Sequence, residues 1–184
     1  MRRRSGDLEA MITRLFTFTE LLEGSWSTQG HCDLRTLRSE WERQAPPGTE
    51  GLRVEWDVAS GAEVVPVPAA RLRVALANLL ENAAKFAGGE RPWARIEVRP
   101  HDGSVQIAVE DHGPGIPAAE RSGLFETGHQ VDAEFTGNVA GVGVGLAMVR
   151  EITTRLGGSL ALEDNQPHGC RFVMTFPLQR GGPA

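Results

Sequence analysis

The chain has 184 residues, of which 19 are basic and 24 are acidic, giving a formal net charge of −5. This length suits a single domain with its own hydrophobic core, and the acidic balance argues against a surface for nucleic acid or anionic lipid. No apolar stretch reaches the roughly 18 residues of a membrane span. Cys32 and Cys170 stand far apart, as isolated thiols do in a reducing compartment. We therefore expect a cytoplasmic domain without membrane contact of its own, although its parent protein could be membrane-anchored.

An amphipathic helix is predicted over residues 7–23, with Gly24 as its stop signal. Its apolar residues are spaced alternately three and four apart, forming a seam of two heptads: Leu8, Met11, Leu15, Phe18 and Leu22. Such a seam fits a helix that lies on its own domain, and it equally fits a helix that dimerises. The sequence leaves both possibilities open.

The rest of the chain alternates helical and strand patterns. Asp33 can cap a helix that runs to about Arg43, and Pro68 suits the first turn of a long helix over 68–86. A turn at 101–103 separates two alternating runs, as in a β-hairpin. The other predicted elements are strands at Leu52–Val58, Ala94–Val98, Val105–Val109, Leu160–Leu162 and Arg171–Phe176, helices at Ala118–Phe125 and Gly143–Leu156, and a loop at 126–142. This mixture predicts an α+β fold, a two-layer sandwich with a mixed sheet packed on helices.

The long helix contains Asn78, Asn82 and Lys85, whose spacing of i, i+4 and i+7 places all three on one face. Surface helices usually carry charged pairs there, whereas amide oxygens suit Mg²⁺ beside phosphate. The alternative is two buried asparagines that bond the backbone. Glu81 lies about 100° around the helix from Asn82, and we expect it to be a solvated or capping carboxylate.

Two glycine-rich segments could approach a ligand closely. Asp111 follows a predicted strand and precedes Gly113 and Gly115, so its carboxylate could accept a hydrogen bond from an exocyclic amine such as that of adenine. Residues 141–146 read GVGVGL and open a helix, whose N–H groups could bind phosphate. This segment is neither a Walker loop nor a Rossmann fingerprint. Each segment is weak evidence by itself.

The order and spacing of the three segments are far more specific. NLLENAAKF, DHGPGI and GVGVGL resemble the N box and the two glycine boxes of the ATP-binding domain of sensor histidine kinases, in the ATPase class shared with gyrase, Hsp90 and MutL-type proteins. GCRFVMTFPL is similar to the closing strand of that domain. The resemblance covers about residues 33–178 and implies the Bergerat ATP-binding fold. It divides the chain into a remnant of a dimerisation helix and connector (1–30), the catalytic domain (31–180) and a tail (181–184).

The resemblance also implies roles for the matching residues. Asn82 is the Mg²⁺ ligand, Asn78 and Lys85 approach the phosphates, and these three are the candidate catalytic residues. Phe86 packs near the nucleotide, and Asp111 binds the adenine amine. The remaining nucleotide-binding positions lie in the two glycine boxes: Gly113, Gly115, Ile116, Gly141, Val142, Gly143, Val144, Gly145 and Leu146. The implied cofactors are ATP and Mg²⁺.

Asn78 helps to choose the reaction. Hydrolysing members of the class carry a glutamate at this position, where it activates water, and an amide cannot act as a general base. The resemblance therefore implies phosphoryl transfer from ATP to a histidine on a dimerisation domain, and from there to the receiver domain of a response regulator. The sequence contains no motif like H-E-x-R-T-P for the acceptor histidine. We expect the chain to be inactive alone and the parent protein to be a dimer.

One segment departs from the family pattern. Leu124, Phe125 and Glu126 match the first half of the F box, but the second aromatic residue and the base that usually follow are replaced by 128–130, which read Gly-His-Gln. This difference leaves open a non-catalytic, nucleotide-dependent interaction module. A stand-alone serine kinase of the anti-sigma type is a further alternative, and the helix at 7–23 argues against it because it has the position of a dimerisation helix.

Overall fold

A computed structural model of the protein describes residues 16, 18–24, 27–86, 92–121, 123–126 and 143–178. Residues 16 and 18–23 are helical and precede the other elements. These elements are, in chain order, β1 (Cys32–Asp33), α1 (Leu34–Arg43), β2 (Arg53–Val58), β3 (Val64–Val65), α2 (Ala69–Phe86), β4 (Trp93–His101), β5 (Ser104–Asp111), a 3-10 helix (Ala118–Glu120), α3 (Gly145–Arg155), β6 (Ser159–Asp164) and β7 (Cys170–Pro177).

The main sheet is mixed, as the sequence predicts. Its strand order is β2-β4-β5-β7-β6, with β2 parallel to β4 and every other neighbour antiparallel. Asp102 and Gly103 form the β4–β5 turn with φ values of 40° and 72°, the positive values that a tight hairpin requires. The short strands β1 and β3 pair separately. Neither this pair nor the parallel β2–β4 contact was predicted from the sequence.

One face of the sheet packs against α2 and α3. Strand residues such as Ile96, Ile107 and Met174 are fully buried together with Leu76 of α2 and Ile152 of α3. The alternation of buried and partly exposed residues along β4 follows from the period of two in a strand. The α+β, two-layer fold is thus confirmed. Within the described residues, no helix is both long and apolar enough to cross a bilayer.

The other face of the sheet carries an ion-pair network. Arg171 on β7 donates to Glu110 on β5 at 2.8 Å and to Glu163 on β6 at 2.9 Å, and it also pairs with Glu97 on β4. Its side chain is only 20% exposed. Cross-strand pairs of opposite charge stabilise neighbouring strands, so this network joins four of the five strands on their polar face.

The two short helices differ in how well their sequences predict them. Asp33 caps α1 as expected, because its Oδ1 accepts the Arg35 N–H at 2.9 Å. The helix predicted at Ala118–Phe125 is wrong, since only Ala118–Glu120 form a 3-10 helix and turns follow at 123–125. The chain leaves the helical path where the Arg121 side chain turns back to donate to the carbonyl oxygen of Ile116 at 2.8 Å.

The N-terminal helix lies on its own domain where it is described. Phe18 and Leu21 belong to the main core, whereas Leu22 is 46% exposed, so the two described members of the predicted seam, Phe18 and Leu22, differ in burial. Arg155 of α3 donates to the carbonyl oxygens of Leu22 and Gly24, which fixes the end of this helix to the domain. Three members of the predicted seam lie outside the described residues: Leu8, Met11 and Leu15.

Candidate functional site

The N box meets the second glycine box at Asn78. The Asn78 side chain is anchored to its own helix, because Nδ2 donates to the Val74 carbonyl oxygen at 2.8 Å. Its Oδ1 faces the first residue of α3, where a Cβ added to Gly145 would lie only 3.0 Å away. Glycine therefore permits α3 to begin directly against the amide of Asn78, and two segments 67 positions apart form one site.

Lys85 is held by a carboxylate that was expected to face solvent. Its Nζ lies 2.8 Å from Oε1 of Glu81, and Glu81 is only 8% exposed. The expectation of a solvated Glu81 is wrong because the loop before β2 covers it, with Gly48 packed against its side chain. Asn82, one residue further along α2, is half-buried.

Asp111 ends β5 in a buried, hydrogen-bonded position. Its Oδ1 accepts the N–H of Gly113 at 2.8 Å and the N–H of Cys170 at 3.1 Å, and the residue is 7% exposed. Burial raises the pKa of Asp111, and the two backbone N–H groups offset this effect only in part. With Oδ1 occupied by the backbone, Oδ2 remains the oxygen suited to an exocyclic amine.

The first glycine box wraps tightly around this carboxylate. A Cβ on Gly113 would lie 2.9 Å from the Phe86 carbonyl oxygen, at the C-terminal end of α2. Gly115 has a φ of +79°, a conformation that favours glycine. Ile116 is half-buried against the core and accepts the hydrogen bond of Arg121 through its carbonyl oxygen. Phe86 and the first glycine box therefore lie side by side at the C-terminal end of α2.

The β6–β7 connection supplies support that was not expected from the sequence. Asn165 donates from Nδ2 to the Asp111 carbonyl oxygen at 2.8 Å. A Cβ on Gly169 would lie 2.0 Å from the same oxygen, so only glycine fits there, with a φ of +119°. The neighbouring Cys170 provides one of the N–H groups bound by Asp111. The only signal in the sequence was the glycine before the last strand.

The second glycine box is described from residue 143 onward. Gly143 has a φ of +67°, and Val144 precedes α3 without a side-chain hydrogen bond to the helix. The first N–H groups of α3 therefore have no side-chain cap from Val144, and such uncapped groups can bind phosphate. Val144 is buried, and Leu146 packs partly against the core. Gly141 and Val142 lie outside the described residues.

The assembled groups suit a nucleotide with a divalent cation. A buried carboxylate at one end can accept a hydrogen bond from a purine amine, while at the other end Asn78 lies against the N-terminus of α3, on the same helix as Asn82 and Lys85. The lack of a Cβ at Gly145 lets the start of α3 lie beside the Asn78 amide, and amide oxygens are hard ligands. The residues present therefore fit ATP and Mg²⁺.

Comparisons with known proteins agree with this geometry. Residues 68–180 match the family described as histidine kinase-, DNA gyrase B-, and HSP90-like ATPase. The chain is 36% identical to the sensor protein kinase CarS of Pseudomonas aeruginosa over 148 residues, which cover 80% of this chain and 28% of CarS. It is 31% identical to the alginate biosynthesis sensor protein KinB of the same species over 174 residues, covering 93% of this chain and 28% of KinB.

Solved structures give the same result for the fold. Full-length ShkA in complex with AMPPNP superposes with a TM-score of 0.77 at 24% identity, over 98% of this chain and 38% of ShkA. The mycobacterial sensor histidine kinase MprB superposes with a TM-score of 0.64 at 25% identity, over 81% of this chain and 97% of the other. The fold and the site together define an ATP-binding domain of the Bergerat type.

The chain belongs to the family of histidine kinase-, DNA gyrase B- and HSP90-like ATPases. Of its two relatives, CarS is described as a sensor protein kinase and KinB as a sensor protein, so the chain is an ATP-binding domain of this family that is similar to part of a sensor kinase. The chain spans 28% of the length of these two relatives.

Proposed function

We propose that this domain binds ATP with Mg²⁺ and transfers the γ-phosphate to a histidine on a dimerisation domain, which then passes it to an aspartate of a response-regulator receiver domain. The observation that carries the proposal is the close approach of Asn78 on the N box to the N-terminus of α3 at Gly145, because an amide oxygen beside a helix N-terminus suits a phosphate with its cation. The identity to sensor kinases over most of the chain supports the same reaction.

Each predicted site residue has a role in this proposal. Asn82 supplies the amide oxygen for Mg²⁺, while Asn78 and Lys85 approach the phosphates. Asp111 binds the adenine amine through Oδ2, and Phe86 packs beside the nucleotide. The two glycine boxes are proposed to surround the nucleotide, and their glycines let the backbone approach it, at positions Gly113, Gly115, Ile116, Gly141, Val142, Gly143, Val144, Gly145 and Leu146.

In this proposal the domain promotes phosphoryl transfer by positioning the reacting groups and by neutralising the charge on the phosphate oxygens. Phosphoryl transfer needs the acceptor in line with the leaving oxygen, and the developing charge lies on phosphate oxygens that Lys85 and backbone N–H groups can bind. Bound Mg²⁺ would add further neutralisation of that charge. Asn78 occupies the position at which hydrolysing relatives place a base, and its amide cannot deprotonate water, which favours a histidine acceptor over hydrolysis.

The acceptor histidine belongs to the dimerisation domain in this proposal. The domain is then inactive until it meets that histidine, and the parent protein works as a dimer in the cytoplasm, where it can be anchored to a membrane. In this proposal the N-terminal helix, whose end is held by hydrogen bonds from Arg155, belongs to the connection with the dimerisation hairpin.

A transfer assay tests the proposal. The chain is incubated with labelled Mg-ATP and a histidine-bearing dimerisation domain from a relative such as CarS, and the same domain with its histidine replaced by glutamine is the control. Acid-labile label on the histidine-bearing partner alone is the expected result. The proposal fails if ATP does not bind, or if neither Asn82→Ala nor Asp111→Asn weakens binding.

A non-catalytic module is the second candidate, favoured by residues 128–130 in place of the usual second half of the F box. It predicts Mg-ATP binding with no label on any acceptor. Acid-stable label on a partner would instead indicate the serine kinase alternative. The same assay therefore separates the three functions by whether a labelled product forms and whether its phosphate is labile to acid.

A further inference from the structure

The ion pair between Glu81 and Lys85 differs from ordinary helical pairs. Glu81 precedes Lys85 by four residues on α2, which is the favoured order, and Nζ lies 2.8 Å from Oε1. Pairs of this spacing usually lie on solvent faces, as Arg38 and Glu42 do with side chains 52% and 60% exposed. The side chains of Lys85 and Glu81 are only 24% and 10% exposed. The pair is thus largely removed from water.

Glu81 is also restrained from outside its helix. Gly48 lies in the loop between α1 and β2 with a φ of +80°, and a Cβ there would lie 3.0 Å from Cγ of Glu81 and 3.1 Å from its Cδ. The loop is itself fixed, because the buried Thr49 donates from Oγ1 to the Pro46 carbonyl oxygen at 2.6 Å. The carboxylate therefore has little freedom to leave Lys85.

We infer that Glu81 is a positioning residue, which holds the Lys85 ammonium toward the phosphates of the bound nucleotide. The inference rests on the proposed function, in which Lys85 contacts phosphate. A free lysine side chain has high conformational entropy, which is lost when the side chain binds a ligand. A fixed carboxylate orders the lysine beforehand, so less entropy is lost when the nucleotide binds. The ammonium has three donors, so one bond to Glu81 leaves two for phosphate oxygens.

Stability does not explain this arrangement. Burying two charges costs desolvation free energy, and apolar side chains of similar size usually stabilise a core as well or better. A carboxylate beside the phosphate-binding face would also repel the nucleotide unless it acted through Lys85. Tighter nucleotide binding through an oriented Lys85 ammonium accounts both for the burial of the ion pair and for a carboxylate near the phosphate-binding face.

Two substitutions test the inference in the full chain. Glu81→Gln keeps the shape and removes the charge that holds the ammonium, and Lys85→Met removes the ammonium itself. Affinities for ATP in Mg²⁺ and for adenosine are measured by calorimetry and ligand-observed NMR. We expect Glu81→Gln to weaken ATP binding about tenfold, the size of one charged hydrogen bond, with adenosine binding unchanged. In the Lys85→Met background the same substitution should have no further effect.

Gly48→Ala displaces the same carboxylate from the other side. It should weaken ATP binding and spare adenosine binding, like Glu81→Gln. Gly51→Ala is its matched control, because Gly51 has the same φ of +80° and no atom within 4 Å of an added Cβ. Glu42→Gln is the control for losing a helical ion pair, and it should leave both affinities unchanged.

The inference is overturned if Glu81→Gln leaves ATP affinity unchanged or raises it, if adenosine affinity falls equally, or if the loss persists without Lys85. These results are distinct from a failure of the proposed function. If Asp111→Asn weakens adenosine binding and Glu81→Gln has no effect on ATP, only the positioning role is refuted. If Asp111→Asn also has no effect, the nucleotide site itself is refuted.

Discussion

Asp111→Asn should separate adenine recognition from the stability of the fold. The Asp111 Oδ1 accepts two backbone N–H groups, from Gly113 at 2.8 Å and Cys170 at 3.1 Å. An asparagine amide oxygen can accept both, so the substitution preserves the loop around this side chain. The amide nitrogen then replaces Oδ2 and presents a donor to the adenine amine, which is itself a donor.

The size of the loss follows from the burial of the site. Asp111 is 7% exposed, and a buried hydrogen bond replaced by two facing donors costs about 1–3 kcal/mol. This corresponds to a loss in ATP affinity of about 5- to 150-fold. Calorimetric titration of wild type and variant with ATP measures it directly. Unchanged ATP affinity would refute the assignment of Asp111 to adenine.

The same substitution should raise stability at neutral pH. Burial raises the pKa of Asp111 in the folded state above its ordinary value of 3.8, despite the opposing backbone N–H groups. The folded protein therefore binds this proton more tightly than the unfolded chain, and the stabilisation that protonation provides is lost as the pH rises through the folded pKa. A neutral amide avoids the buried charge, so Asp111→Asn should melt higher at pH 7, with the advantage shrinking toward pH 3.8. A lower melting temperature at pH 7 would contradict this reasoning.

Three other perturbations have distinct expected outcomes. Gly145→Ala places a Cβ 3.0 Å from Asn78 Oδ1, so Mg-ATP affinity should fall by about tenfold while unfolding free energy changes by less than about 1 kcal/mol, as calorimetry and urea denaturation would show. Arg171→Ala leaves three carboxylates without their shared partner and should cost about 1–3 kcal/mol of unfolding free energy, less at high salt. Burial raises the pKa of Cys32 to about 11 and of Cys170 to about 12, so neither thiol should react with a thiol reagent at pH 8 until the protein is denatured.

Elements with strong periodicity were predictable from sequence. The long helix was expected at 68–86 and spans Ala69–Phe86, because its apolar positions repeat with the helical period over five turns. The last strand was expected at Arg171–Phe176 and spans Cys170–Pro177. The roles of the site residues in these elements stay a prediction, since the structure shows the approach of Asn78 to Gly145 but no ligand contact.

Elements defined by distant partners were not predictable. β1 and β3 have two residues each and exist only because Cys32 pairs with Val65 and Asp33 with Val64. The contact of Arg155 with the carbonyl oxygens of Leu22 and Gly24 likewise joins residues more than 130 positions apart. Local propensity contains no information about such distant partners, so these contacts are found only in the folded structure.

Glu81 shows why a helical wheel is insufficient for a site of this kind. The wheel correctly places Glu81 about 100° around α2 from Asn82. The expectation that its carboxylate is solvated holds only if that side of α2 faces water. The loop that carries Gly48 covers that side, and its position depends on how α1 and β2 are connected, which no periodicity within α2 encodes. A buried carboxylate is stable only with a cationic partner. The partner of Glu81 is Lys85, four residues further along α2. A residue excluded from the site by its angle is thus joined to it by tertiary packing.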